Sequence, residues 1–184
     1  MKKIILIVAA ALVSLSASAQ KFAHVNFNEL VMLMPAADSA RAQIAASQQE
    51  AQDTYKSMTD EFQVKYQQYQ QKSSTWTPAI RESKEKELQD IQIRIQDFDQ
   101  SIQQELQQQQ QQLMAPIQQR AVAAVEKLAK EGGYIYVFEK ASMLYVDETQ
   151  SVDLTPAARK ALNIPDGRTL ETLQQELQAQ AQKQ

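Results

Sequence analysis

The chain has 184 residues, 19 Lys and Arg against 22 Asp and Glu, no Cys, one His, three Gly and five Pro. That length suits one domain, and so little Gly argues against phosphate-cradling loops and turn-rich β-sandwiches. A lone His24 without Cys excludes the usual zinc sites and any thiol enzyme. Hydrophobic residues make up 43% and aromatics only 7%, so a large aromatic core is not expected. No catalytic residue, metal, cofactor or nucleic-acid site is predicted. The composition leans away from enzymes.

Residues 1–19 read as a cleaved export signal. Lys2 and Lys3 carry the charge, Ile4 to Leu15 form an apolar run, and Ala17-Ser18-Ala19 fits a small-x-small cleavage site. The cut is placed between Ala19 and Gln20. Twelve residues reach roughly 18 Å as a helix, short of a ~30 Å hydrocarbon core. No second apolar run of that length follows, and no Cys is present for a lipid anchor. Cleavage removes Lys2 and Lys3, leaving 17 cationic against 22 anionic residues, a net −5. An acidic, non-membrane protein outside the cytoplasm is expected, in a compartment without ATP.

Residues 20–35 are assigned to a head segment: strand Phe22–Phe27, then a short helix from Asn28 to Met34. Residues 36–115 read as one antiparallel helical hairpin. No Gly occurs between Ala36 and Glu131, and Ala, Gln, Glu, Lys, Leu and Ile dominate. The outward stripe is Ala40, Ile44, Ser47, Ala51, Tyr55, Met58, Phe62, Tyr66 and Tyr69. Its eleven-residue repeat favours a straight or slightly right-handed coil. The return stripe is Ile80, Leu88, Ile91, Ile95, Phe98, Ile102, Leu106, Leu113 and Ile117. Ser and Thr within residues 73–77 supply a cap, and Pro78 suits the first turn of the return helix.

Facing positions in such a hairpin sum to a constant. Tyr69 with Ile80, Met58 with Ile91, Ala51 with Phe98 and Ser47 with Ile102 each give 149. Phe62 with Leu88, Tyr55 with Ile95 and Ile44 with Leu106 give 150; the exception is Tyr66, whose partner at 150 is Lys84. Two independent stripes therefore match over about seven helical turns. Pro35 and Pro116 fall at one level of the hairpin, read as the junction between arm and base and as a hinge. The arm would project roughly 60 Å at 1.5 Å per residue.

Residues 116–165 complete the head. Gly132-Gly133 stops the return helix. Tyr134–Phe138 and Met143–Val146 read as a β-hairpin joined by Lys140-Ala141-Ser142. Thr155 is taken as the N-cap of a short helix with Pro156 in its first turn. Three short strands leave apolar edges open, which pairing between identical subunits would close. Ala23, Val25, Phe27, Tyr136, Phe138 and Leu144 are assigned to that interface. Residues 166–184 form a polar tail carrying Leu170, Leu173 and Leu177, either a frayed amphipathic helix or disordered.

Lys21–Asn26 after a signal peptide, a long helical hairpin, Ala121–Tyr145 and Asp153–Thr155 together resemble the Skp/OmpH family of periplasmic chaperones. The resemblance runs from Lys21 to about Leu162. It implies an α+β fold in which a helical tentacle projects from a β-rich head that forms a shared barrel in a homotrimer. It also implies an ATP-independent periplasmic holdase, keeping unfolded outer-membrane proteins in a cavity between the arms. The family's best-known members are strongly basic, with a proposed lipopolysaccharide site. Here Asp60 to Asp99 holds six Lys and Arg against eight Asp and Glu, so that site is not carried over.

Tyr66, Tyr69, Trp76 and Ile80 crowd the hairpin tip. Either they grip apolar client segments, or Tyr66 and Tyr69 pack on the return helix and Trp76 is the contact residue. His24 is read as structural, Lys84–Glu87 as a solvated face of i,i+4 pairs, and Gln107–Gln112 as helix surface. The competing functional reading is a non-enzymatic envelope spacer or adaptor that binds one folded partner.

Overall fold

A computed structural model describes residues 21–182. The signal segment and the cleavage site at Ala19 and Gln20 lie outside the described residues. The fold is α+β, mostly helical, with a small three-stranded parallel sheet. The chain divides into two compact units: Pro35–Ile117, and a second unit joining the segment that ends at Met34 to the chain from Gln118 onward.

The first unit is the helical hairpin. Helix α2 (Pro35–Lys72) and the first part of helix α3 (Pro78–Gly132) run antiparallel, with residues 73–77 between them. Thr77 starts α3: its carbonyl accepts from Arg81 N at 3.0 Å, and Pro78 needs no amide partner in the first turn. The stripe residues are mostly half-buried, and Ile91 is the most enclosed of them. Pro116 lies inside α3, which continues through it to Gly132. Proline therefore removes one backbone bond here without ending the helix.

The second unit is organised by strand β1 (Phe22–Val25) and helix α1 (Phe27–Leu33). Asn26 separates them, its side chain accepting from Glu29 N at 3.2 Å as an N-cap. Phe27 is thus the first residue of a helix, not the last of a strand. A Schellman-type end closes α3: Tyr134 N donates to Ala129 O at 3.0 Å and Gly133 to Lys130 O at 3.3 Å. Gly133 has φ +68°, where an L side chain would be strained.

The expected β-hairpin does not form. Strand β2 is Tyr136–Glu139 and strand β3 is Ser151–Asp153, and both run parallel to β1, in the order β2-β1-β3. Ala23 faces Val137 on one side and Val152 on the other. Lys140–Ser142 is a 3-10 turn, and Met143–Val146 is not a strand. Both strands can flank β1 in parallel only if the chain crosses over between them, and residues 140–150 supply that crossover. Asp147 turns it: its carboxylate accepts from the Thr149 hydroxyl and then the Thr149 amide, which hold that carboxyl below its usual range.

On the far side of β1, His24 Nδ1 and Ser151 Oγ hydrogen-bond at 2.9 Å, and Leu154 N donates to His24 O at 2.8 Å. The imidazole is buried, with Nε2 3.9 Å from Asp153 Oδ2. His24 is built into the sheet. Helix α4 (Thr155–Ala161) follows, but Thr155 does not cap it. Its hydroxyl accepts instead from Asn26 N at 2.9 Å, and Asp153 Oδ1 takes the Thr155 amide at 2.8 Å.

The polar tail is helical. Helix α5 (Leu170–Ala181) starts at a Thr169–Thr172 capping box and buries Leu173. Helix α1 packs against both α4 and α5, so Leu30, Leu33, Ala158, Leu162 and Leu173 are buried in this unit. Arg159 ties these pieces together. It donates to Glu29 Oε1 at 2.6 Å, to Pro165 O at 2.9 Å and to Arg168 O. Its side chain is 14% exposed and that of Glu29 23%. Removing such a cation leaves the part-buried Glu29 carboxylate with Asn26 Nδ2 as its remaining side-chain donor and takes one donor each from Pro165 O and Arg168 O. Arg159→Ala is expected to cost about 2–4 kcal/mol in urea unfolding, and Leu173→Ala a similar amount through its cavity. A loss below about 0.5 kcal/mol for Leu173→Ala would mean that α5 adds nothing to the fold.

Candidate functional site

The hairpin carries its apolar residues in two ways. One set turns inward, and another stays in solvent because two helices cannot cover it. Tyr55, Val64, Tyr66, Ile80 and Ile93 are all more than 40% exposed. Single exposed apolar residues are ordinary, and here five occur along one hairpin.

At the tip the predicted residues separate. Tyr66 and Ile80 are 45% and 46% exposed. Tyr66 stacks on Phe62 with ring centroids 5.9 Å apart. Tyr69 and Trp76 are half-buried and meet edge to face at 5.9 Å. The Tyr69 hydroxyl donates to Glu85, which raises its pKa and keeps the phenol protonated. Arg81 Nε reaches Ser73 O at 3.2 Å and braces the turn. Trp76 is therefore partly spent on the turn, and Tyr66 and Ile80 are the more open side chains.

Polar contacts across the hairpin do what the narrow apolar seam cannot. Glu87 accepts from Lys65 of the opposite helix and from Lys84 of its own helix at 2.8 Å. Glu61 bridges to Arg94 at 3.3 Å, and Gln109 Nε2 donates to Ser47 Oγ at 2.9 Å. The pairs at Lys84–Glu87 are therefore i,i+3 and cross-helix rather than only surface i,i+4 pairs. One glutamine of the Gln107–Gln112 run likewise joins the seam. The Lys65 bond, then the Lys84 bond, brings the Glu87 carboxyl from 4.5 down to about 2.

The second unit exposes a different apolar surface. Phe22 stacks on Tyr136 at 6.3 Å, and Tyr136 meets Phe138 at 5.9 Å. Tyr136 is 60% exposed on a parallel sheet, a type normally covered on both faces. Of the residues assigned to a subunit interface, Ala23 and Val25 are buried within the chain. Phe27 and Val25 help to line a mostly apolar cavity of about 500 Å³ beside α3, with Val122, Val125 and Val137. Phe138 is exposed on the sheet, and Leu144, outside any strand, is fully exposed. Among the described residues no group of three or more His, Asp or Glu could hold a metal, and no helix is long and apolar enough to cross a membrane.

The profile of the OmpH-like outer membrane protein family matches residues 21–162. The chain belongs to that family. No curated protein sequence matches it. Among solved structures it is similar to a candidate OmpH-like outer membrane chaperone from Caulobacter crescentus, with a TM-score of 0.70 and 13% identity. The likeness covers 80% of this chain and 86% of that one and establishes a common fold. The OmpH-like match ends at residue 162, so α5 and its contacts with α1 lie beyond it.

A carboxyl held low in the folded state contributes stability above its ordinary pKa and loses it as pH falls towards the folded value. Glu87 therefore supports the OmpH-like hairpin above pH 4.5 and progressively less towards pH 2. Glu87→Gln is expected to lower the Tm at neutral pH by about 1–3 °C. Followed by circular dichroism, the gap from wild type should close in acid and shrink in high salt. A gap constant from neutral pH to pH 2 would show that Glu87 acts by packing instead.

Proposed function

We propose that the chain is an ATP-independent holdase chaperone that keeps unfolded outer-membrane proteins from aggregating in the periplasm. The observation that carries this reading is the run of exposed apolar side chains along a hairpin in a member of the OmpH-like family. The common fold with a candidate outer membrane chaperone supports it. Export by a cleaved signal at Ala19–Gln20 is part of the same reading.

A holdase works through weak contacts. Tyr66 and Ile80 offer apolar area without an enclosing pocket, so each contact is modest and easily released. A homotrimer would present three such arms, with the exposed Tyr136 and Phe138 face and the open edges of β2 and β3 joined between subunits. After the first contact the others become intramolecular, and weak binding sums to useful avidity. Pro35 and Pro116 would let the arms adapt to clients of different size. The client leaves when membrane insertion stabilises it more than the arms do, so no nucleotide is consumed.

A urea-unfolded outer-membrane β-barrel protein diluted into mature protein without ATP tests the reading by light scattering and the mass of the soluble complex. Suppressed aggregation with one client per three chains is the expected result. Unchanged aggregation at excess protein would favour the spacer or adaptor reading, in which one folded partner is bound. Tyr66→Ser with Ile80→Ser is expected to weaken client affinity about 3- to 10-fold with unchanged helicity and oligomeric mass.

A further inference from the structure

Charge is not spread evenly along the hairpin. From Lys56 to Arg94 there are seven Lys and Arg against six Asp and Glu. The flanking stretches, 42–55 and 95–119, contain Glu50, Asp53, Asp97, Asp99 and Glu105 and no Lys or Arg. The cross-helix salt bridges, Lys65–Glu87 and Glu61–Arg94, both belong to the mixed stretch. Among the described residues none of the five carboxylates in the acidic band forms a salt bridge.

The seam opens in the same band. Ser47 and Ala51, small members of the outward stripe, line the seam with Ile102 and Phe98. The short side chains leave a cleft of about 420 Å³ between the helices. Ala51, Phe98, Ile102 and Leu106 line it on one part and Ser47, Thr54 and Gln109 on another, with Gln109 bonded to Ser47, and Glu50 and Glu105 complete the lining. That volume is within the range of sites that accept small ligands or side chains.

We infer that this cleft selects client segments in which an aliphatic or aromatic side chain is flanked by Lys or Arg. The inference rests on the holdase reading and specifies which polypeptide that surface prefers. The apolar part of the lining gives a client side chain a place to pack, and Glu50 and Glu105 attract a neighbouring cation. An acidic segment would meet repulsion from the whole band. A second copy of the chain, placed symmetrically on the cleft, would bring its own five carboxylates against these five. Charge complementarity thus points to a basic, apolar client rather than to self-association.

The test uses the mature protein and three fluorescein-labelled unstructured peptides of equal length, built on Leu-Lys, Leu-Glu and Ser-Lys repeats. Fluorescence anisotropy should show the Leu-Lys peptide binding tightest, with an advantage that fades near about 0.5 M salt. Glu50→Gln with Glu105→Gln should weaken Leu-Lys binding about 3- to 10-fold and leave the other two peptides unchanged. Glu82→Gln, in the mixed stretch, should change none of them. Equal binding of Leu-Lys and Leu-Glu, or equal loss from Glu82→Gln, would overturn the inference. So would a changed oligomeric mass in the double variant, which would make the cleft a contact between copies. If charge preference is absent while aggregation of an unfolded barrel protein is still suppressed, only this inference fails. If neither occurs, the holdase reading fails as well.

Discussion

Two antiparallel helices can bury only the stripe that each turns towards the other, and most of this structure follows from that constraint. The seam of the hairpin is one residue wide, so its register is reinforced by polar contacts: Lys65 and Lys84 on Glu87, Arg94 on Glu61, Gln109 on Ser47. The same narrowness leaves Tyr66, Ile80 and Ile93 in water. A globular domain would cover them with another layer. A two-helix hairpin has no such layer, so these side chains stay uncovered.

The second unit solves a different problem, which is to build a core from segments far apart in the chain. Strand β1 is only four residues long, yet it is the centre of the sheet and pairs on both sides. His24 and Asn26, at its end, take up groups from Ser151, Leu154 and Thr155, so a small number of hydrogen bonds joins the chain's beginning to its last third. Helix α5 adds Leu173 to this core, and Arg159 links α1 to the loop before α5. Order in the tail thus comes from packing and from buried charge-assisted bonds, not from helix propensity alone.

Charge patterning adds a further distinction within the hairpin. Where carboxylates are paired with Lys or Arg across the seam they hold the helices together. Where they form no salt bridge, Glu50 and Glu105 line the cleft between the helices. A weakly binding protein gains discrimination from such carboxylates without gaining a tight site, because exposed charges alter encounter and preference more than they alter affinity.

Much of the hairpin was legible because its determinants are local or periodic. Two apolar stripes matched in register, Thr77-Pro78 marked one start, and Gly132-Gly133 marked one end. A helix start depends on the first turn's amides, and a helix stop on one residue that tolerates positive φ, so few residues decide each. The sheet was not legible in the same way. Tyr134–Phe138 and Met143–Val146 have hairpin composition, but β1 already occupies the edge of β2, and Ser151–Asp153 takes the other side of β1. Which strand pairs with which is a competition between distant segments, and composition ranks them poorly. The same holds for Trp76, which reads as an open contact residue until Tyr69 is placed against it. The sequence by itself determined the long helices, their turn and their ends. Only the tertiary structure decided the parallel sheet, the ordered tail and which apolar residues stay in water, because burial is a property of neighbours that the chain brings from elsewhere.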